Sequence, residues 1–338
     1  MFIQRTACSS SLPGSSSAIT EVDRVPGRAT FHDGDRSGRK REPASGGIGF
    51  RLARVNWLFG KGSYRSRWVA GGAAMVTLLA VAHLSAQRFG QDRFNRNFAN
   101  ARKATPRDFD GTFQFCRLAF GRDPGGDGGG WSVDYPRADI NLSVRLAELT
   151  KTRVGRDGEV PHHLLVEADD PELFGCPFLM MTNVGAASIT EAGAAHLRSY
   201  LQKGGFIWAD DFWGSRAWDW WEGQLRKILP AHSYPIIDLA PDHPLYHTQF
   251  AVKRTPQIAN IGFWSRSGGG TSERGADSDV VHTRAAVDAQ GHILVLMTHN
   301  TDLGDSFERE GDDPTYFSVM SVPGYSFGIN ALLYAMTH

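Results

Sequence analysis

The chain has 338 residues, 41% of them hydrophobic, and a formal net charge of zero at neutral pH. It contains three cysteines and no C-x-x-C pair, so cysteine spacing gives no support to a zinc or redox centre. The neutral total hides an asymmetry, because residues 1–67 are basic and the remainder is acidic.

Residues 1–67 are rich in Ser, Gly, Pro and Arg and show no sustained apolar periodicity. Such a segment cannot bury enough surface to offset the entropy of ordering, so we predict a disordered leader. No aromatic or structural motif accompanies the positive charge, and we therefore predict a solvated tail and no nucleic-acid partner. The leader also suggests a start codon assigned upstream of the true one.

Residues 68–86 begin with an uncharged run, Trp68–Ala82, which follows Arg65 and Arg67. The run is short for a bilayer span, which needs roughly 20 residues, but it suits the core of a secretory signal. We predict a signal peptide cleaved after Ala82 or Ala86; the alternative is an uncleaved membrane anchor that tethers the protein. Either interpretation makes the protein exported, and a cleaved one makes it periplasmic or secreted.

Residues 87–111 read as a polar tether, and residues 112–338 are enough for one α/β domain. The predicted strands are Thr112–Phe120, His163–Glu167, Pro177–Thr182, Phe206–Ala209 and Ile293–Thr298. The predicted helices are one capped by Asp139, one capped by Thr190 and ending at Lys203, one ending before Pro230, and an amphipathic one at Gly324–Met336. Alternating strands and helices predict a three-layer, doubly wound and mainly parallel sheet.

Two cysteines, Cys116 and Cys176, lie in apolar runs of this domain. Buried free thiols are the favoured interpretation, and a disulfide between them is left open.

Polar residues cluster after three predicted strands. Asp134 and Tyr135 follow the loop after the first strand. Asp210 and Asp211 follow the run Phe206–Ala209, and a polar segment, 299–302, follows another strand. Ligands of open α/β sheets bind beyond the carboxyl ends of strands, so these loops define a candidate site. The candidate ligand-binding residues are Asp134, Tyr135, Asp210, Asp211, Trp213, His243, His299, Asn300 and Asp302.

Several reaction types are not supported by the motifs present. No G-x-S-x-G or G-x-C-x-G elbow exists, so a covalent Ser or Cys mechanism is not expected. The glycine loop at 125–130 lacks the Lys-Ser/Thr of a phosphate-binding loop. His243 and His247 could serve as metal ligands by residue type, but the sequence around them contains no H-E-x-x-H or equivalent spacing. We therefore predict neither a metal nor another cofactor. The irregular segment Thr255–Ala276 is either a functional lid or simply mobile.

Six motifs, taken in order, resemble a known family. They are W-x-x-D-Y-P-x-A-D at 131–139, P-F-L at 177–179, L-R-x-Y-L-x-K-G-G-F-I-x-x-D-D at 197–211, L-R-K-I-L-P at 225–230, D-H-P-L-Y at 242–246 and G-Y-S-F-G-I-N-A-L-L-Y-A-M-T at 324–337. Together they are similar to the bacterial domain of unknown function 4159 over residues 112–338.

The resemblance implies a flavodoxin-like fold of the class I glutamine amidotransferase type. In that fold the G-G-F-I-W-A-D-D step resembles the nucleophile turn, with Asp210 or Asp211 near the place of the cysteine. The cysteine and a following His-Glu pair are absent, so amidotransferase activity is not implied. Relatives are often exported or joined to membrane segments, and the family has no settled activity.

Two functions are compatible with these residues. The first is an exported amidotransferase-like domain that binds a small molecule or an envelope protein at the rim formed by Asp134, Asp210, Asp211 and His299. The alternative is a carboxylate-dependent hydrolase of a cell-envelope sugar or a related polar substrate, with the aspartate pair as acid and base. Whether the chain is an enzyme is left open.

Overall fold

The computed structural model describes residues 101–338. The predicted leader, the apolar segment at 68–86 and the first part of the tether lie outside these residues. Within the described range, no helix combines the length and apolar character needed to cross a bilayer. Residues 102–104 pair with the strand that contains Leu165, where the N–H of Ala104 donates to the carbonyl of Leu165 (2.9 Å).

The strands and helices alternate along most of the chain. The strands are β1 (Phe115–Ala119), β2 (Gly121–Arg122), β3 (Arg156–Asp157), β4 (Val160–Pro161), β5 (His163–Glu167), β6 (Leu179–Thr182), β7 (Ala187–Ser188), β8 (Ile207–Phe212), β9 (Ile236–Asp238), β10 (His282–Val287) and β11 (Ile293–His299). The helices are α1 (Arg137–Leu149), α2 (Glu191–Gln202), α3 (Gly214–Ile228), α4 (Ile261–Arg266), α5 (Leu303–Glu308), α6 (Pro314–Tyr316) and α7 (Val322–Thr337), and a π turn, Phe317–Ser321, joins the last two.

Seven strands form the central sheet in the order β5-β1-β6-β8-β11-β10-β9. The first five run parallel, β10 is antiparallel to β11, and β9 is antiparallel to β10. The short strands form two separate ribbons, β2 with β7 and β3 with β4. The predicted α/β class with a mainly parallel sheet is confirmed.

Helices cover both faces of this sheet and make three layers. One face carries α1, α5 and α7, which contact one another, and the other carries α2 and α3. Successive residues of a strand point to opposite faces, and both faces are buried here. In β6, Met180 packs into the core under α1 and α7, whereas Leu179 and Met181 pack under α2 and α3.

Some element boundaries differ from the predictions. Thr190 caps α2 as predicted and accepts from the N–H of Gly193 (3.0 Å). Asp139 does not cap α1, which begins at Arg137, because its buried carboxylate pairs with Arg117 instead. The strand predicted to stop at Ala209 continues to Phe212.

Several elements were not predicted at all. Among them are β9, β10, α4 and α5, of which α4 lies inside the segment expected to be an irregular loop, and the short elements β2, β3, β4, β7 and α6. The closing helix α7 is buried on most of its surface and is therefore not amphipathic.

Cys116 of β1 and Cys176, before β6, form a disulfide with their Cα atoms 5.9 Å apart. The prediction of free thiols was therefore wrong, although both residues are buried as expected. Their sequence separation of 60 residues gave no local signal for the pairing. The bond ties β1 to the segment that enters its neighbour in the sheet.

Candidate functional site

Four segments bring polar residues to the carboxyl edge of the parallel strands. Asp134 lies in the loop between β1 and α1, Asn183 directly follows β6, Asp211 is near the end of β8, and Asn300 directly follows β11. These strands are neighbours in the sheet, so their carboxyl ends meet at one edge. The structure therefore brings these four segments together at one edge of the sheet.

The same four residues have left-handed backbones. Their φ angles are 63° for Asp134, 55° for Asn183, 53° for Asp211 and 64° for Asn300, and no other non-glycine residue in 101–338 has a positive φ. Asp and Asn tolerate this conformation better than other side chains. Sparsely populated backbone conformations persist where the surrounding structure over-determines them, and they concentrate at functional sites.

Five carboxylates form what we call the acidic cluster: Asp134, Asp211, Asp302, Asp305 and Glu308. One oxygen each from Asp134, Asp211 and Asp302 lie within 4.8 Å of one another. A second triad within the same distance combines Asp134 with Asp305 and Glu308. Asp134 is thus common to both groups and stands at the centre of the cluster.

Burial dominates the electrostatics of the cluster. It raises the pKa of Asp134, Asp211 and Asp302 well above the usual range, and the negative charges of neighbouring aspartates raise them further. Arg309 forms ion pairs with Glu308 (2.7 Å) and Asp305 (3.5 Å). Within residues 101–338, no lysine or arginine forms an ion pair with the other three acids.

Asp210 and Asp211 have different environments although they are adjacent. Asp210 is fully buried and accepts hydrogen bonds from the Thr298 hydroxyl and from the N–H of Gly304 (3.0 Å). Burial raises its pKa to about 7. Asp210 therefore joins β8 to β11 and to the start of α5, and it does not belong to the acidic cluster.

Asp211 is the penultimate residue of β8 and has a left-handed backbone. Its Oδ1 accepts from the indole N–H of Trp213 (2.9 Å), and its Oδ2 accepts from the Asn183 amide. The Asn183 oxygen in turn accepts from the N–H of Gly129 (2.6 Å), which fixes the glycine loop.

His299 lies at the same edge but faces away from the acids. Its ring stacks on Phe212 (4.9 Å between centroids), approaches Trp218 (5.5 Å) and His282 (5.7 Å), and its Nε2 donates to the carbonyl of Gly214 (3.0 Å). Burial lowers the pKa of His299 to about 4. The structure therefore holds it as a neutral packing residue.

Three further residues of the predicted site, Asn300, Tyr135 and His243, have their contacts outside the acidic cluster. Asn300 joins two loops, because it accepts from the N–H of Gly214 (2.8 Å) and donates to the carbonyl of Val280 (2.7 Å). Tyr135 donates to the carbonyl of His163 (3.3 Å). His243 caps the 3-10 turn Pro244–His247, and its ring packs near Tyr334 in α7 (5.5 Å).

A sequence profile described as a domain of unknown function, DUF4159, matches residues 114–336. The chain belongs to the DUF4159 family. The matched range contains every member of the acidic cluster and all the predicted site residues. A comparison with curated proteins found no match.

Sequence reasoning missed four residues that complete the site of this DUF4159 chain. Asp305 and Glu308 lie on α5, whose first turn is capped by Asp302 through the N–H of Asp305 (2.7 Å). Asn183 binds Asp211, and Arg117 positions the loop that carries Asp134. The signal available for α5 was the segment T-D-L-G-D-S-F-E, in which an Asp precedes another acid by three residues.

Arg117 positions that loop from inside the core. It is 1% exposed, pairs with Asp139, and donates to the carbonyls of Trp131 and Val133 (3.1 Å each). The buried pair thus fixes the backbone immediately before Asp134.

A cavity of about 470 Å³ lies beside the first residues of β10 in this DUF4159 domain. Its lining includes Lys253, Arg254, Gln257 and His282, and none of the five acids of the cluster. The cavity and the acidic cluster are therefore separate features.

Proposed function

We propose that this chain is an exported domain that binds a polar ligand at the carboxyl edge of its sheet, without covalent catalysis by Ser or Cys. The observation that carries this proposal is the convergence of Asp134, Asp211 and Asp302 from three separate segments of the chain. Three buried carboxylates that repel one another raise the free energy of the folded state, and capping a helix needs only one of them. A ligand that satisfies the three acids would offset this cost.

Two observations support export. The apolar run Trp68–Ala82 fits a secretory signal, with a membrane anchor as the alternative. The disulfide between Cys116 and Cys176 is of a kind that persists in oxidising compartments and is rare in the cytosol. Mass spectrometry of the mature protein tests this: a start after Ala82 or Ala86 supports cleavage, and a retained segment supports the anchor.

Strand order supports a flavodoxin-like, amidotransferase-like fold. Taken by position in the chain, the five parallel strands are arranged second-first-third-fourth-fifth, which is the order of flavodoxin-type sheets. In this interpretation Asp211 stands at the elbow that would carry the cysteine. The absent nucleophile is then the reason to propose binding.

Cell-wall saccharides are the first probe for the ligand, because their hydroxyl groups are good donors to carboxylates. The full-length chain is immobilised and exposed to soluble saccharide fragments of bacterial cell wall. We expect Asp211→Asn to abolish capture and Asp210→Asn to retain it, since Asp210 is buried outside the cluster. Equal capture by both variants and the wild type would exclude the acidic cluster as the binding site.

A carboxylate-dependent hydrolase is the second candidate function. One carboxylate oxygen of Asp134 lies within 4.8 Å of one of Asp211. Burial and the neighbouring negative charges raise the pKa of both residues. Such a pair can hold one proton, so that one member acts as acid and the other as base. Release of reducing ends from the same saccharides, lost in Asp134→Asn, would favour the hydrolase; capture without release favours binding alone.

A further inference from the structure

We propose that the acidic cluster binds a divalent cation of the oxygen-preferring class, such as Mg²⁺, Mn²⁺ or Ca²⁺. The inference deepens the proposed function and rests on it, because the cation occupies the same edge of the sheet. A cation is the kind of ligand that five neighbouring carboxylates bind.

The spacing of the oxygens fits a common coordination sphere. Asp134, Asp211 and Asp302 each offer one oxygen within 4.8 Å of the others. Calcium binds oxygens at about 2.3–2.6 Å, so two ligands on opposite sides of the ion are separated by roughly 5 Å. Magnesium and manganese require only a small contraction of the same triad. The triads contain neither His nor Cys, which disfavours zinc.

Asp134 provides an independent sign of a missing partner. Its Oδ2 has no hydrogen-bond donor, although the residue is only 9% exposed. The oxygen packs against the bare backbone of Gly304, where an added Cβ would lie 2.3 Å from it. A buried carboxylate oxygen without a donor is unfavourable unless a cation or ligand satisfies it.

The charge balance also points to a cation. Arg309 is engaged by Glu308 and Asp305, and Arg117 is engaged by Asp139. Asp134, Asp211 and Asp302 therefore have no cationic ion-pair partner in the described part of the chain.

Asp211 and Asp302 are already oriented by donors outside the cluster. Trp213 and Asn183 hold Asp211, and the N–H of Asp305 holds one oxygen of Asp302. Such hydrogen bonds are the usual means of orienting metal ligands.

The test measures cation binding by the full-length chain after treatment with EDTA. Mg²⁺, Mn²⁺ and Ca²⁺ are each titrated by calorimetry, and thermal unfolding is followed with and without each ion. We expect saturable binding of at least one ion and a higher unfolding temperature in its presence. Absence of saturable binding for all three ions would overturn the inference.

Three variants assign the site. Asp134→Asn removes a ligand and also one of the repelling charges, so we expect it to fold in EDTA and to weaken cation binding at least tenfold. Asp302→Asn should weaken binding similarly while an Asn still caps α5. Asp219→Asn, an exposed acid of α3, is the matched control and should leave affinity within twofold of the wild type. Wild-type affinity in both cluster variants would place the ion elsewhere and overturn the inference.

Saccharide capture in EDTA separates this inference from the proposed function. Absence of saturable cation binding, together with saccharide capture that persists in EDTA and still requires Asp211, contradicts the cation site and leaves the proposed binding function intact. Cation binding lost in Asp134→Asn, with no saccharide captured under any condition, supports the cation site and contradicts the saccharide ligand.

Discussion

Asp210, near the end of β8, accepts a hydrogen bond from the backbone N–H of Gly304 in α5 (3.0 Å). The same carboxylate accepts from the hydroxyl of Thr298 in β11. One buried side chain therefore joins two strands and the helix that carries part of the acidic cluster.

Replacement of Asp210 by Ala is expected to destabilise the fold by about 2–4 kcal/mol, because the Gly304 N–H and the Thr298 hydroxyl lose their acceptor. Asp210→Asn keeps an acceptor and should cost less than about 1 kcal/mol. Urea unfolding followed by tryptophan fluorescence measures both. Asp169→Ala, at an exposed acid, controls for the loss of charge, and an equal cost there would contradict the role of Asp210.

Arg117→Met is expected to cost about 3–5 kcal/mol, because it leaves the carboxylate of Asp139 buried without its partner. The double variant Arg117→Met/Asp139→Leu should recover much of that loss, since neither charge remains. Both variants should weaken ligand or cation binding, because the carbonyls of Trp131 and Val133 lose their donor and the Asp134 loop is released. Recovery of stability together with full binding would show that Arg117 does not position the loop.

Removal of the disulfide by Cys116→Ala/Cys176→Ala is expected to lower the free energy of unfolding by about 4 kcal/mol, the chain-entropy value for a closed loop of 60 residues. The urea midpoint under non-reducing conditions measures the change. The wild type under reducing conditions should show the same lowered midpoint. An unchanged midpoint in the double variant would contradict a stabilising role for the bond.

His299 should make the fold less stable in acid. Its folded pKa of about 4 lies below the unfolded value of 6.5, so its contribution is complete above pH 6.5 and is lost as the pH falls toward 4. The loss amounts to roughly 3 kcal/mol for a shift of this size. His299→Gln keeps a donor to the Gly214 carbonyl and should flatten the pH dependence between 6.5 and 4 relative to the wild type. His196→Gln, on the exposed side of α2, should not.

The parallel core of the fold was predictable because its signals are local. Runs such as Pro177–Thr182 have the length and apolar character of strands that are buried on both faces. Thr190 is a residue type that commonly caps helices, and it indicates the start of α2. The antiparallel strands β9 and β10 were not predicted, because pairing at a sheet margin depends on distant partners such as β11.

The candidate site was predictable as a place and only partly as a set of residues. Strand ends indicated Asp134, Asp211 and Asp302, which the structure brings together. Asp210 and His299 also lie at the ends of strands, yet both side chains are buried outside the acidic cluster. The sequence could not distinguish these two residues from the members of the acidic cluster. The side of the sheet to which a side chain points depends on where β8 and β11 end. Asp305 and Glu308 were missed because α5 is a single short helix.

The four left-handed residues at the carboxyl edge allow the shape of the site to be separated from its chemistry. Side chains other than Asp and Asn are disfavoured in this left-handed conformation, whereas glycine adopts the same torsions without steric strain. A glycine scan of Asp134, Asn183, Asp211 and Asn300 would thus remove each side chain together with its hydrogen bonds, while the backbone torsions at that position stay accessible. It is a gentler dissection than alanine replacement, which would confound the missing group with a rearranged loop.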